Sequence, residues 1–554
     1  MENITERYNK YKLKVSNESI KQICSPKEFK LQPQQQFIPE FVYDNKEIVS
    51  GLLIYHKIGS GKTCTAINIA EKFKYTYNII VVLPAALINN FKGELMSECP
   101  GKNVYVKENE KNKLNDKNIL EKIERRISKY YQIYSYNKFT TLVQEKKIKL
   151  EQTVLIIDEI QNMISLRGVF YKTLKSAIDK TNNTLKIFLL SATPMFDKPS
   201  EIALTLNLLR PKIQLPVGNN FNNKFLLKQI NNNITYKAIN LELFKELTYG
   251  LVSYYRGAPI IAFPNVEFKI VKCNMSDFQY KSYLTSLSKI ENVKGIFKNT
   301  DILKLSGNFM LGPRMMSNIA YPNKSIGDIG YSSLSSDILL LQNIKDYSIK
   351  FYKIFKRIKK CEGKIFVYSN FVEYGGIKPF ILLIEAHGYL NYSFFGSGKK
   401  RYCLFTGDEI NHNKKEIITT FNNINNNDGS IIKIIIGSPS IKEGVSLLSV
   451  QQVHILEPYW NQSRIEQIIG RSVRFCSHSS LLKQFQCVKV YLYLSTHNKT
   501  DMSIDEYIYN MSLSKQTIIN EFTYALIENA IDCSLFYNNN YYKTDNKKLI
   551  CTNK

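Results

Sequence analysis

Long apolar runs are missing from this 554-residue sequence. No stretch reaches roughly 18 consecutive apolar residues, the length that a membrane-spanning helix needs. The first ten residues, MENITERYNK, are polar and do not contain the apolar segment of a secretory signal peptide. We therefore expect a protein that neither spans a membrane nor enters the secretory pathway.

Clustered metal ligands are missing too. The ten cysteines include no CxxC pair, and the six histidines include no pair with the spacing of zinc ligands. This spacing predicts no structural metal and no disulfide framework, and it favours a reducing intracellular compartment. Cys24, Cys273 and Cys487 are expected to pack as small hydrophobic side chains. His454 lies in an apolar strand pattern and is interpreted as a core residue.

Acidic residues are few compared with basic ones. The sequence has 48 Asp and Glu and 75 Lys and Arg, which gives a formal net charge of +27. Such a surface attracts polyanions, and its contacts with phosphates release condensed counterions. The charge therefore favours a nucleic acid partner. The alternative is a solubility feature of a composition rich in Asn, Ile, Lys and Tyr. The Lys-rich runs at 107–117 and 356–360 are interpreted as solvated faces.

Short apolar runs that alternate with helical segments predict an α/β protein with two lobes. The chain is too long for one ordinary hydrophobic core. The runs are almost continuously apolar, as in strands of a parallel sheet that are buried on both faces. They are Val49–Tyr55, Asn78–Pro84, Thr153–Asp158, Lys186–Ser191, Lys364–Ser369, Cys403–Gly407, Ile431–Ser438 and Gln452–Pro458. Helices are predicted after Gly61 and over 116–129.

The remaining segments divide the chain further. The predicted parts are an N-terminal extension (1–30), a first lobe (31–212), an insertion between the lobes (213–345), a second lobe (346–500) and a C-terminal helical brace with a tail (501–554). The insertion begins with an Asn-rich segment, 217–235, that predicts an exposed loop with a short helix. The rest of it is predicted to be largely helical, with a strand near Val266–Lys272. The tail from Tyr537 is expected to fray.

A phosphate-binding loop is predicted between the first strand and the helix that follows it. The sequence from His56 to Thr63 is HKIGSGKT. The segment Gly59-Ser60-Gly61 lets the backbone N–H groups curl around phosphate oxygens, Lys62 reaches the β and γ phosphates, and Thr63 offers a hydroxyl to Mg²⁺. His56 stands where the strict pattern has glycine. The alternative is a glycine-rich turn without a ligand.

A pair of carboxylates follows the strand Thr153–Asp158. Asp158 lies at the carboxyl end of that strand, where ligands bind in open α/β sheets. The pattern predicts that Asp158 holds Mg²⁺ through water and that Glu159 activates the water that attacks ATP. Such a pair also occurs in solvated turns, but the phosphate loop upstream favours an ATP site.

Further motifs occur in the order found in superfamily 2 helicases, which the sequence resembles. The resemblance implies two RecA-like parallel-sheet lobes, with the inter-lobe insertion largely helical and a C-terminal helical brace. In the first lobe it implies that Gln35 of Leu31–Gln35 reads adenine and that Pro84 lies on the nucleic acid. It also implies that the motif Ser191-Ala192-Thr193 couples the two sites, with Gln161 where many relatives carry His or Asp.

The second lobe supplies the remaining motifs. The resemblance implies nucleic-acid contacts from the fourth and fifth motifs, at Ser369, Asn370, Ser438, Glu443 and Gly444. The segment from Gln467 to Arg474 matches the sixth motif, QxxGRxxR. The resemblance implies catalytic roles for Gln467, Arg471 and Arg474, with Arg474 as the arginine finger that reaches the γ-phosphate.

The segments Ser191–Ile202, Ser253–Pro259 and Gly437–His478 narrow the resemblance to the helicase-like ATPases of large cytoplasmic DNA viruses. That family includes the poxvirus early transcription factor small subunit, the poxvirus nucleoside triphosphatase I, and asfarvirus and giant-virus relatives. It implies ATP hydrolysis coupled to translocation on DNA or RNA, or to its unwinding, in viral transcription. The implied location is the host cytoplasm, the viral factory or the virion.

Of two functional alternatives, one stays open. It is a transcription-factor subunit that binds promoter DNA and uses its ATPase for remodelling or release, with a larger subunit or the viral RNA polymerase as partner. The other, a P-loop kinase or GTPase, is disfavoured because neither uses QxxGRxxR.

The cluster Tyr254-Tyr255-Arg256 is predicted to pack in the core rather than to stack on bases. The single tryptophan, Trp460, is predicted to be a packed anchor rather than a wedge between bases.

Overall fold

The computed structural model describes residues 4–13, 19–26, 28–231, 233–290, 300–303, 308–406, 411–442, 445–499, 502–542 and 547–552. The chain forms two compact units. The first contains Met1–Lys228, Tyr236–Pro259 and Thr517–Lys554, and the second contains Gln229–Thr235 and Ile260–Gln516.

The first unit is built on a six-stranded parallel sheet. Its strands are β1 (Gly51–His56), β2 (Asn78–Leu83), β3 (Tyr131–Ser135), β4 (Thr153–Ile157), β5 (Lys186–Ser191) and, further along the chain, β8 (Val252–Tyr255). Their order is β3-β2-β4-β5-β1-β8, and every neighbouring pair is parallel. The four apolar runs predicted in this half of the chain are all strands, which confirms them. A separate two-stranded sheet consists of β6 (Leu226–Asn231) and β7 (Asn233–Ala238).

Helices cover the first sheet and connect its strands. In chain order they are α1 (Ile4–Arg7), α2 (Ile20–Cys24), α3 (Pro33–Asp44), α4 (Lys62–Phe73), α5 (Ile88–Met96), α6 (Lys117–Ser128), α7 (Tyr136–Gln144), α8 (Val169–Lys180), α9 (Glu201–Asn207), α10 (Asn219–Phe225) and α11 (Leu241–Thr248). Helix α6 begins where predicted because the Asp116 carboxylate accepts hydrogen bonds from two backbone N–H groups of its first turn.

The second unit is built on a seven-stranded parallel sheet. Its strands are β9 (Asn265–Asn274), β10 (Lys364–Tyr368), β11 (Leu390–Asn391), β12 (Arg401–Phe405), β13 (Ile434–Gly437), β14 (Val450–Ile455) and β15 (Cys487–Thr496). Their order is β11-β12-β13-β10-β14-β15-β9. Side chains of β10 alternate between two hydrophobic cores, with Ile365 and Val367 on one face and Phe366 and Tyr368 on the other.

The remaining helices follow the same chain order. They are α12 (Asp277–Ser288), α13 (Leu311–Asn318), α14 (Asp328–Tyr331), α15 (Leu341–Tyr347), α16 (Ile349–Lys360), α17 (Ile377–Ala386), α18 (Tyr392–Phe395), α19 (Asn411–Asn422), α20 (Gln462–Ser472), α21 (Ile504–Glu528) and α22 (Tyr537–Asn540). Short 3-10 helices span Asn9–Tyr11, Ala85–Leu87, Glu108–Lys113, Ile160–Asn162, Ile260–Ala262, Ile424–Asn426, Pro439–Lys442 and Lys483–Phe485. The predicted C-terminal helix is α21.

The segment between the predicted lobes is distributed over both sheets. Strand β8 pairs with β1, and β9 pairs with β15, although both lie within the predicted insertion 213–345. The Asn-rich segment contains the predicted short helix, α10, but the rest of it is not an exposed loop, because β6 and β7 follow, and Phe221 and Phe225 of α10 are fully buried. The tail does not fray at Tyr537, because α22 forms there and Asn540 is buried.

The cysteines differ from the prediction. Cys64 is bonded to Cys99, and Cys533 to Cys551, with Cα–Cα distances of 5.7 and 5.6 Å. The expectation that no disulfides form is therefore wrong, and Cys24, which is predicted to pack as a small hydrophobic side chain, is disulfide-bonded as well. The bonded cysteines of the two pairs lie 35 and 18 positions apart in the sequence, so no local spacing motif predicts these two disulfides. Cys273 is buried as predicted.

No helix in the described part of the chain is long and apolar enough to cross a membrane. In the same described ranges, no group of three or more His, Cys, Asp or Glu side chains is placed to hold a metal ion.

Candidate active site

The predicted phosphate loop joins the carboxyl end of β1 to the first turn of α4. Gly59 and Gly61 have φ angles of 80° and 74°, in the left-handed region that other residues rarely adopt. A Cβ atom on Gly61 would lie 2.2 Å from the amide nitrogen of Gln35. The backbone conformation therefore favours glycine at 61, and any other residue there would also have to displace the Gln35 side-chain amide. The loop leads directly into the N-terminus of α4, where N–H groups and the helix dipole favour an anion.

Polar side chains donate hydrogen bonds to backbone carbonyls of this loop. The Gln34 amide donates to the Ser60 carbonyl at 2.9 Å, and the Gln35 amide donates to the Gly61 carbonyl at 3.3 Å. Lys62 Nζ donates to the His56 carbonyl at 3.0 Å. Gln35 thus lies against the predicted phosphate loop, and its contact with adenine stays a prediction.

Two carboxylates follow β4, which lies in the same sheet as β1 with β5 between them. Parallel strands end at the same edge, so Asp158 and Thr63 are both at the edge where the phosphate loop lies. One oxygen of the Asp158 carboxylate accepts a hydrogen bond from the Glu159 N–H at 2.9 Å. The Tyr136 hydroxyl donates to the carbonyls of Asp158 and Glu159 at 2.5 and 3.0 Å. Hydroxyl and carboxylate oxygens are ligands that Mg²⁺ prefers, so the donor set fits that ion.

A chain of hydrogen bonds connects Glu159 to the segment after β5. The Gln161 amide nitrogen donates to the Glu159 carboxylate at 2.5 Å, and the Gln161 amide oxygen accepts from the Ser191 hydroxyl at 2.7 Å. The Ser191 oxygen in turn accepts from the Thr193 N–H at 3.0 Å. Glutamine can bridge in this way because its amide both donates and accepts.

The segment that follows is held by a carboxylate that the sequence analysis missed. Glu201, at the start of α9, accepts hydrogen bonds from the N–H groups of Phe196 and Asp197 at 2.7 and 2.9 Å. Burial raises the pKa of Glu201 to about 7, and the backbone hydrogen bonds oppose that rise. Glu201 therefore fixes the loop downstream of Ser191-Ala192-Thr193.

In the second unit, the QxxGRxxR segment forms α20 and the turn that follows. Arg471 is buried, and its guanidinium donates to the Val445 carbonyl at 3.4 Å. Arg474 donates to the Gly470 carbonyl at 3.1 Å and to the Ser446 hydroxyl. Both arginines thus contact the backbone or side chains of the predicted fifth motif. Gln467 lies half-buried on the same helix.

The predicted fourth motif follows β10 and is organised by Glu457, which lies after the neighbouring strand β14. Its carboxylate accepts from the Ser369 hydroxyl at 3.0 Å and from the Asn370 side chain at 3.1 Å. It also accepts from the side chain of Asn318 at 3.0 Å. Ser369 is fully buried, so its hydroxyl serves this carboxylate rather than an exposed face. Burial raises the pKa of Glu457.

A buried ion pair extends this network. The Asn318 side-chain oxygen accepts from Lys350 Nζ at 2.8 Å, and Lys350 forms an ion pair with Asp505 at 2.6 Å. Both partners of the pair are at most 1% exposed. Removing either one alone would leave an uncompensated charge in the core, which is strongly destabilising. Sequence reasoning missed this set because its members are far apart in the chain and belong to no motif.

Comparison with known proteins gives matches along most of the chain. A family model described as the SNF2-related domain matches residues 34–319, and one described as the helicase conserved C-terminal domain matches residues 349–476. The chain belongs to the SNF2-related helicase family. Proteins of this family hydrolyse ATP and bind nucleic acid, and both properties follow for this SNF2-related helicase.

Three relatives of this SNF2-related helicase are viral proteins. One from Acanthamoeba polyphaga mimivirus, named as an ATP-dependent RNA helicase, is 47% identical over 97% of this chain and 95% of its own. A termination factor NPH-I homologue of African swine fever virus is 27% identical over 90% of this chain and 78% of its own. A frog virus 3 helicase is 27% identical, and the chain spans 52% of that relative.

A structural match is the Sulfolobus solfataricus SWI2/SNF2 ATPase core in complex with double-stranded DNA. It covers 90% of this chain and 95% of that chain, at 16% identity and a TM-score of 0.33. The two-sheet α/β architecture of this SNF2-related helicase rests on its own strand order and parallel pairing.

The other predicted nucleic-acid residues of this SNF2-related helicase vary in accessibility. Pro84 is buried at the carboxyl end of β2, and Ser438 is buried with its hydroxyl 2.8 Å from that of Ser440. Glu443 and Gly444 lie outside the described residues. Asn370 is partly exposed. Nucleic-acid contacts by these residues stay predictions.

Packing interpretations from the sequence are confirmed. Tyr254 and Tyr255 are buried in β8, at 4% and 3% exposure. Trp460 is buried, its ring stacks on Tyr459 at 4.1 Å, and the Arg314 guanidinium lies over it at 4.9 Å. His454 is fully buried and hydrogen-bonded to Tyr493 and Gln452.

Proposed function

We propose that this chain is a nucleic-acid-stimulated ATPase that converts ATP hydrolysis into movement along DNA or RNA during viral transcription. Lys62 binds the β and γ phosphates, Glu159 activates the attacking water, and Arg474 with Arg471 stabilises the charge on the γ-phosphate. Thr63 and Asp158 would hold Mg²⁺, which would supply charge neutralisation at the phosphates when bound.

The relatives and the charge support the transcription setting. One relative carries the name of a termination factor, and the chain has a formal net charge of +27. We propose that the viral RNA polymerase is the partner and that the protein acts in the host cytoplasm, the viral factory or the virion. Movement on a nucleic acid strand would supply the force that releases a transcript.

The observation that carries the proposal is the link from Glu159 through Gln161 to Ser191. A motor must hydrolyse ATP faster when it holds its track, so the catalytic carboxylate needs a physical connection to a segment that responds to nucleic acid. Gln161 supplies one, because its two hydrogen bonds join the strand ends of β4 and β5. We propose that nucleic acid shifts the segment Ser191-Ala192-Thr193 and thereby moves Glu159 into its catalytic position.

Replacing Gln161 with leucine tests this link. Leucine keeps the size of the side chain and removes both hydrogen bonds. A hydrogen bond to a charged group contributes roughly 1.5–3 kcal/mol, so we expect the stimulation of ATP hydrolysis by nucleic acid to fall about tenfold or more. The measurement is the ratio of the rate at saturating nucleic acid to the rate without it.

The matched control is Gln144→Leu, at an exposed glutamine of α7 whose amide donates to Thr173. It should keep the wild-type ratio. An unchanged ratio in Gln161→Leu would show that the link does not carry the stimulation.

A further inference from the structure

His56 departs from the usual phosphate-loop pattern, and the structure shows what its side chain does. It is fully buried at the end of β1, and its Nε2 atom lies 2.9 Å from the Ser253 hydroxyl on β8. Burial, with a smaller contribution from the charge of Lys62, lowers the pKa of His56 well below its usual value. The imidazole is therefore neutral. Its backbone carbonyl meanwhile accepts the hydrogen bond from Lys62 Nζ.

Ser253 is in turn bound by a carboxylate from the C-terminal segment. Its hydroxyl donates to one oxygen of Asp532, and the Tyr254 N–H donates to the other oxygen at 2.9 Å. Asp532 is fully buried. Since the single hydroxyl proton of Ser253 goes to the carboxylate, the serine oxygen accepts from His56, which requires the tautomer protonated at Nε2. One directed chain thus runs from His56 through Ser253 to Asp532.

The C-terminal segment 531–540, which contains Asp532, forms hydrogen bonds with β8 and with the two residues that follow β8. Ile531 donates from its backbone to the Val252 carbonyl at 2.9 Å. The Asn540 side chain accepts from the Arg256 N–H at 2.9 Å and donates to the Tyr254 carbonyl at 3.0 Å. Asn539 donates to the Gly257 carbonyl at 2.9 Å. Strand β8 is the last strand of its sheet and the direct neighbour of β1, so the segment 531–540 fixes the strand beside the phosphate loop.

Aromatic contacts of Phe536 also place the segment 531–540 against α3, the helix that donates hydrogen bonds to the loop. The Phe536 ring meets the rings of Tyr255 and Phe37 edge-on, with centroid distances of 5.5 and 5.9 Å. Phe37 belongs to α3, the helix whose Gln34 and Gln35 donate to the loop carbonyls. The C-terminal segment therefore contacts both α3, which donates hydrogen bonds to the loop, and β8, which accepts them from it.

We infer that Asp532 is a positioning residue for ATP binding, acting through Ser253 and His56 to hold the phosphate loop in the conformation that receives the nucleotide. The inference rests on the assignment of this loop to ATP. A glycine at 56 would leave the start of the loop without a side-chain anchor, whereas His56 extends into the core and is held there. The C-terminal segment is thereby part of the ATP site although it touches no phosphate.

The test compares four variants and one control variant of the full chain in two assays, one that gives the Kd of a fluorescent ATP analogue and one that gives the KM and kcat for ATP. Asp532→Ala and Ser253→Ala each break the chain, and we expect each to raise Kd and KM about tenfold, with a smaller change in kcat. Because they break one chain, the double variant should be no worse than the more affected single one. Ser253→Thr keeps the hydroxyl and should restore tight binding.

Asn529→Ala is the matched control. Asn529 is buried in the same C-terminal region and donates to the Lys245 carbonyl at 2.7 Å and the Thr248 hydroxyl at 3.2 Å, on α11 rather than near the loop. Its loss should lower the thermal unfolding midpoint and leave Kd and KM unchanged.

If Asp532→Ala does not fold, Ser253→Ala, which removes one oxygen atom, decides the question. Equal Kd values in Ser253→Ala, Asn529→Ala and the wild type would overturn the inference and leave Asp532 a purely structural residue. Failure of the proposed function would look different, because the wild type itself would then bind no ATP analogue or hydrolyse no ATP.

Discussion

Replacing Glu159 with glutamine lowers the nucleic-acid-stimulated rate of ATP hydrolysis by about 10²–10⁴-fold, the usual contribution of a general base. Glutamine has nearly the same shape but cannot accept the proton of the attacking water. The phosphate loop is untouched, so the affinity for ATP should stay close to that of the wild type. The measurement is a steady-state ATPase assay together with the Kd of a fluorescent ATP analogue.

Glu145→Gln is the control, since Glu145 is an exposed residue of the same unit whose carboxylate pairs only with Lys147 among the described ion pairs. Its rate should match the wild type. Undiminished turnover in Glu159→Gln would remove Glu159 from the catalytic assignment, and loss of ATP binding would place its role in binding instead.

Replacing Arg474 with lysine lowers kcat by about 10³–10⁵-fold, the range measured for arginine fingers. Lysine keeps the charge, but it lacks the planar fork that donates to two phosphate oxygens at once. The substitution also tests whether charge alone suffices. The measurement is kcat at saturating ATP and nucleic acid, with circular dichroism to verify that the fold is retained.

Arg401→Lys controls for the loss of a guanidinium in the second unit, because Arg401 donates to the Gly396 carbonyl at an exposed turn. It should leave kcat unchanged. A decrease of less than tenfold in Arg474→Lys would mean that Arg474 serves mainly to hold Ser446, and the finger would have to be sought at Arg471.

Much of the fold could be predicted because buried parallel strands leave a local signal. The runs at β1, β2, β4 and β5 are almost wholly apolar, and each forms a strand of the first sheet. Strand β8 left a weaker signal, since VSYY is short and contains two tyrosines and a serine. Its place beside β1 comes from pairing between residues about 200 positions apart, which no local pattern encodes.

The candidate site likewise contains some residues that the sequence predicts and others that it does not. The phosphate loop and the carboxylates after β4 are contiguous motifs whose spacing reflects chemistry, so the sequence predicts them. The residues that hold them do not form motifs. Glu457, Asp532 and Ser253 are buried polar groups whose partners come from distant segments. A buried polar side chain needs a partner, but the sequence does not say which one. The Cys64–Cys99 bond was missed for the same reason.

The central claim is that ATP hydrolysis by this chain depends on nucleic acid. Its most direct test is the ATPase rate of the full chain, titrated at low salt with single-stranded DNA, double-stranded DNA and RNA. We expect at least one of them to raise the rate several-fold, and we expect that stimulation to weaken as salt competes for the phosphate contacts. A rate that none of the three polymers changes, in protein that binds ATP, would contradict the claim.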